Sequence, residues 1–95
     1  MTAEETAARV LALAATASLP VGRSRMDCDD GRILLGFWDR GIHGFAEIEA
    51  DGSVTFDWTF EDLSRPCIVI EEMDVDAGFA AFVAACPVDA VPAAE

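Results

Sequence analysis

The apolar positions of this chain change their period twice, and the changes mark out its elements. Thr2-Ala3-Glu4-Glu5 is a capping box, in which a threonine hydroxyl and a glutamate three residues on satisfy each other's backbone amides. Apolar residues then recur at helical spacing, with Ala7, Val10, Leu11, Ala14 and Ala17 on one stripe. The pattern predicts a helix to about Ser18, closed by Pro20 and Gly22. From Arg23 to Phe60 the period falls to two, the spacing of strands with one buried face.

Three turn signals divide this second region, and each sets a register. A two-residue turn at Asp30-Gly31 places Cys28 opposite Ile33 and Met26 opposite Leu35. A two-residue turn at Arg40-Gly41 places Phe37 opposite Gly44 and Leu35 opposite Ala46. At Ala50-Asp51-Gly52 only a three-residue loop keeps the alternation, pairing Ile48 with Val54 and Ala46 with Phe56. The hairpins then agree on one inner face: Met26, Cys28, Ile33, Leu35, Phe37, Ala46, Ile48, Val54, Phe56 and Trp58. Agreement among independent turns points to a four-stranded antiparallel meander.

Cys67-Ile68-Val69-Ile70 reads as a short fifth strand. Asp74 or Asp76 can cap a second helix from about Ala77 to Ala85, with Phe79, Phe82, Val83 and Cys86 on its packed stripe and Pro87 at its end. The expected fold is α+β: an N-terminal helix, a four- to five-stranded antiparallel meander and a C-terminal helix, with both helices on one face. Residues 1–87 read as a single domain and 88–95 as a flexible C-terminal tail.

Composition narrows the class of partner. With 53% apolar residues the 95-residue chain can build a core, although its net charge is −12. Twelve of the eighteen acids follow Phe45, where Arg65 is the only opposing base; the first 45 residues hold five arginines against six acids, and lysine is absent. Charge this one-sided disfavours direct binding to nucleic acid or to an anionic membrane, and favours a basic protein. The N-terminal segment is acidic, and Arg9 interrupts its apolar run, so it is not expected to act as a secretory signal. A cytoplasmic protein is expected, with Cys28, Cys67 and Cys86 as reduced, buried, apolar groups.

The opposite sheet face holds the candidate site. In the register above it carries Arg25, Asp27, Leu34, Gly36, Trp38, His43, Phe45, Glu47, Glu49, Thr55, Asp57 and Thr59. Leu34, Trp38 and Phe45 sit mid-face, Trp38 lies opposite His43, and Asp27, Glu47, Glu49 and Asp57 surround them. Apolar anchors inside a polar rim describe the usual anatomy of a protein interface. The alternative is that these aromatics are core beneath a wrapped helix or curled sheet. Glu47 and Glu49 are spaced about 6.8 Å along one strand face. Glu71, Glu72, Asp74 and Asp76 extend the acidic field, although strand-end and capping roles explain part of that run.

Chemistry is sparse. His43 is the only histidine, and Cys28 falls on the other face from it, so no Cys–His pair is expected. Asp27-Cys28-Asp29-Asp30-Gly31 lacks the ligand spacing of a calcium loop, and turn formation accounts for it. No catalytic residue, metal or cofactor is expected. The expected function is non-enzymatic: an acidic protein-interaction module that inhibits another protein by occupying its basic, nucleic-acid-binding surface. In general type this resembles the phage-encoded nucleic-acid mimics of the anti-CRISPR and anti-restriction kind, without any family motif. An immunity protein or antitoxin against a basic toxin shares every feature. A small ligand-binding or enzymatic domain using Trp38 and His43 is the rival from another class, and a subunit of a larger complex is a third. A face-to-face homodimer is open but disfavoured by acidic rims on both copies.

Overall fold

The computed structural model describes residues 1–62, 64–71 and 74–86. Helix α1 (Ala3–Ala14) is followed by β1 (Gly22–Asp27), β2 (Ile33–Asp39), β3 (Ile42–Ile48), β4 (Val54–Phe60), β5 (Ile68–Ile70) and helix α2 (Val75–Ala84). The strands form one antiparallel sheet in chain order, an open five-stranded meander with β1 and β5 at its edges. This is the expected α+β architecture. Pro87 and the proposed tail 88–95 lie outside the described residues.

Both capping signals act as read. Thr2 Oγ1 accepts from the Glu5 amide at 3.1 Å, and the Thr2 amide donates to Glu5 Oε1 at 2.8 Å. Asp74 is the cap of α2, accepting from the Ala77 amide at 2.9 Å, so that helix starts two residues earlier than expected. Helix α1 is shorter than its stripe implied. It ends at Ala14, and the amides of Thr16 and Ala17 close tight turns onto Leu13 and Ala14. The chain then turns inward to bury Leu19 and Pro20. Leu11, expected on the packed stripe, is 42% exposed. Thr6 is buried in the core instead, its hydroxyl donating to the Gly52 carbonyl at 2.6 Å.

The core lies between the helices and one sheet face, where Leu35, Phe37, Ala46, Ile48, Phe56 and Trp58 are sealed from solvent. Trp58 is its centre. Its indole stacks on Phe82 of α2, with centroids 4.4 Å apart and planes 9° from parallel, and Nε1 donates to the Phe82 carbonyl at 2.9 Å. Gly44 makes room for this stack. A Cβ there would lie 2.5 Å from Trp58 and 2.7 Å from Phe82.

The β2–β3 and β3–β4 registers are as expected, with Phe37 opposite Gly44 and Ala46 opposite Phe56. Arg40 and Gly41 both have positive φ in the two-residue turn between them. The β1–β2 register differs by one residue: Arg25, not Met26, lies opposite Leu35. The loop there has three residues, because the Cys28 amide donates to Arg32 O and the Gly31 amide to Cys28 O. The same bonds link Glu49, Gly52 and Ser53 in the β3–β4 loop, and Gly31 and Gly52 share φ +91°. In both loops the aspartate preceding glycine accepts from the amide two residues on. Identical local chemistry gives the identical turn. A one-residue shift inverts β1, so Met26 and Cys28 leave the core while Arg23, Arg25 and Asp27 move to the helix side.

Three substitutions check this packing by urea midpoint. Leu35→Ala is expected to cost about 2–5 kcal/mol through the cavity it leaves. Gly44→Ala is expected to cost about 1–3 kcal/mol by forcing Trp58 from Phe82. Met26→Ala, on an exposed side chain, is expected to stay within about 0.5 kcal/mol. A cost for Met26→Ala equal to that for Leu35→Ala would restore the shifted register.

Candidate partner-binding face

The face away from the helices is assembled row by row through the register. One row runs Gly22, Trp38, His43 and Thr59 from β1 to β4. The next runs Ser24, Gly36, Phe45, Asp57 and Val69 from β1 to β5, and the third Met26, Leu34, Glu47 and Thr55. Neither α1 nor α2 covers these rows. Met26 is 61%, Trp38 49% and Val69 56% exposed, while Leu34 and Phe45 are half-buried. The alternative in which the aromatics are core is therefore wrong for Trp38.

Two glycines shape the aromatic part. A Cβ on Gly22 would collide with the Trp38 ring, so the indole lies across the backbone of the edge strand. A Cβ on Gly36 would meet the Ser24 hydroxyl and approach Phe45 at 3.5 Å. Trp38 and His43 are opposite each other, but the His43 ring meets Phe45, edge-on at 6.0 Å. Cys28 and His43 do not meet either, for a different reason than expected. Both now belong to the same side of the sheet, but Cys28 pairs with Arg32 and His43 with Trp38, six residues or roughly 20 Å along β2.

The acids divide into engaged and free groups. Asp27 is a correction: it lies on the helix side, bound to Arg25 at 2.7 Å, and Arg25 also reaches Glu4. Asp76 pairs with Arg9 of α1 at 2.6 Å, and Asp74 is the α2 cap. Glu71 is exposed just after β5, and Glu72 lies outside the described residues. The acidic run near α2 is thus partly structural, through Asp74 and Asp76. Glu47, Glu49 and Asp57 do stand together on the β3–β4 side. The neighbouring Glu47 carboxyl raises the Glu49 pKa above the usual carboxylate value.

Asp57 is the most unusual group on the face. It is half-buried beside Phe45 and Val69, and its Oδ1 is enclosed without a hydrogen-bond donor. Burial, and then the Glu47 charge, push its pKa up. An enclosed carboxylate oxygen without a donor is a rare and costly arrangement. Arg32 binds Asp30 at 2.8 Å and reaches Glu47 only at 3.9 Å. Among the described residues no group of three or more His, Cys, Asp or Glu is placed to hold a metal ion. No helix among them is long and apolar enough to cross a membrane.

No family model, curated protein or solved structure matches the chain.

Met26 and Val69 belong to this face although sequence reasoning assigned neither to it. The signal for Met26 was the match between Asp-Asp-Gly-Arg and Ala-Asp-Gly-Ser, which fold as the same loop. For Val69 it was strand alternation, since Ile68 and Ile70 pack with the core. The same alternation, together with Pro66, corrects the expectation of three buried thiols. Cys67 lies just outside β5 and is exposed, whereas Cys28 and Cys86 are half-buried.

Two measurements follow from these environments. A thiol reagent applied to the native protein should modify Cys67 first, read by mass spectrometry of digests. Equal rates at all three cysteines would contradict the placement. Asp57 has a folded pKa above its unfolded value, so its contribution to stability is complete below the unfolded value and lost as pH rises through the folded one. Asp57→Asn should therefore remove that part of the pH dependence and gain on the wild type toward neutral pH, measured by unfolding across the acid range. A carboxyl NMR titration that puts Asp57 at or below an ordinary aspartate would contradict this.

Proposed function

We propose that this protein is a non-enzymatic acidic interaction module that inhibits a nucleic-acid-binding protein by docking on its basic surface. The observation that carries the reading is the uncovered sheet face, where exposed Trp38 and Met26 and half-buried Phe45 lie beside Glu47, Glu49 and Asp57. Apolar side chains supply the anchor, and unbalanced carboxylates supply attraction to a cationic surface. A basic toxin in place of a nuclease is a variant of the same reading and would use the same face.

The form of mimicry follows from the charges. Asp27 and Asp76 are paired with arginines of this same chain, and Glu47 and Glu49 act on each other's ionisation. This favours attraction by the summed field, with apolar contact setting the fit, over a residue-by-residue copy of phosphate spacing. A small-molecule or catalytic role for Trp38 and His43 has less support, because the two rings turn to different neighbours.

Capture of the partner from the native cell, followed by binding kinetics, tests the proposal. Glu47→Lys with Glu49→Lys should slow association and flatten its salt dependence, since charges steer encounter over a Debye length of about 8 Å. Trp38→Ala should instead speed dissociation by about tenfold or more while leaving the fold intact. If the charge reversals leave association unchanged, the face is not where the partner docks.

A further inference from the structure

We infer that the element received by this face is a single amphipathic helix bearing a basic flank, laid along β2 and β3. The inference rests on the docking role proposed above and names the shape of the partner segment. Its ground is the way the face is divided. The outer positions of β1 are the neutral Gly22, Ser24 and Met26, and those of β2 include Leu34 and Trp38. The carboxylates Glu47, Glu49 and Asp57 occur only on the β3–β4 side. Phe45 stands on the line between the two halves. An extended basic strand or a diffuse polycation would match the acidic half and leave the apolar half wet. A helix with an apolar stripe and cations along one flank matches both at once.

Dimensions agree. Neighbouring strands are about 4.8 Å apart, so the interval from β1 to β4 spans roughly 14 Å. A helix with its side chains is about 10–12 Å across, enough to cover β2 and β3 with one flank over Met26 and the other over Asp57. Strands β2 and β3 each have seven residues, roughly 23 Å, which a helix of about 15 residues would follow. The opposite face of the same sheet already takes two helices, so this surface has the twist on which helices pack. Asp57 fits the scheme as well. A cation on the helix flank would pair with the accessible oxygen of a carboxyl whose other oxygen is enclosed without a donor, offsetting the cost of that half-buried charge.

The test uses the full chain and three synthetic peptides of about 15 residues, the length set above. One is an amphipathic leucine–lysine helix, the second a scrambled isomer of identical composition, and the third its leucine–glutamate counterpart. Binding is mapped by amide NMR shifts, and peptide helicity is followed by circular dichroism. The amphipathic basic peptide should gain helicity and shift Leu34, Trp38, Phe45, Glu47 and Asp57 together. The scrambled isomer should bind about tenfold more weakly or worse, and the acidic peptide not at all. Trp38→Ala and, separately, Glu47→Gln with Glu49→Gln should each weaken the basic helix, because the two halves act together. All of these substitutions are on exposed or half-buried side chains, and unfolding midpoints check that the fold persists. If the scrambled isomer shifts the same face with equal affinity, the helix is overturned while a basic partner remains. If the basic peptide binds but shifts residues elsewhere, or if no basic peptide shifts this face, the inference falls; the second outcome also removes the docking role.

Discussion

The stack of Trp58 on Phe82 is the contact on which the rest of the arrangement depends. It joins the middle of β4 to α2 and is possible because Gly44, on the neighbouring strand, has no side chain to fill the space. The indole N–H meets the Phe82 carbonyl, so the largest buried side chain leaves no unsatisfied donor. Phe37, Phe56 and Phe79 close around Phe82 at centroid distances from 5.2 to 6.2 Å, and Phe56 and Phe79 also meet edge-on at 6.0 Å. Fixing α2 in this way also places Asp76 against Arg9 of α1. One aromatic cluster therefore sets both helices on the same side of the sheet.

With α1 and α2 both committed to one side, neither helix covers the other side. The two faces of the sheet use glycine differently. Gly44 admits side chains from above into the core, whereas Gly22 lets Trp38 lie low against the backbone. The Trp38 ring laid on the edge strand gives a broad apolar surface there. Such a surface suits a packed partner element more than a small ligand.

Ion pairs decide where the charge is felt. Arg9, Arg25 and Arg32 each bind carboxylates, so the N-terminal half largely neutralises itself. Glu47, Glu49 and Asp57 are instead grouped closely enough that two of them carry raised pKa values. Carboxylates that repel one another are stabilised by an incoming cation, which gives the apolar face a directional electrostatic bias. Individual surface pairs contribute little to stability, so this segregation matters more for encounter than for folding.

Much of the fold was legible in the chain. The capping box fixed the start of α1, and the Arg40-Gly41 and Asp51-Gly52 turns fixed the pairing of β2, β3 and β4, because alternation with one buried face leaves a single acceptable register. The charge imbalance and the clustering of Leu34, Trp38, Phe45, Glu47 and Asp57 were likewise present in order and spacing. The edge strand was not determined in this way. β1 has the pattern Arg-Ser-Arg-Met-Asp, polar on both sides, so its alternation could not reject a one-residue slip, and the Asp30-Gly31 loop decided it. That choice moved Asp27 off the face and Met26 onto it. Only the tertiary structure could decide which acids were already claimed by distant arginines, which ring His43 meets, and that Asp57 is left without a donor. Each depends on residues far apart in the chain being brought within a few ångströms, and sequence spacing alone does not specify that distance.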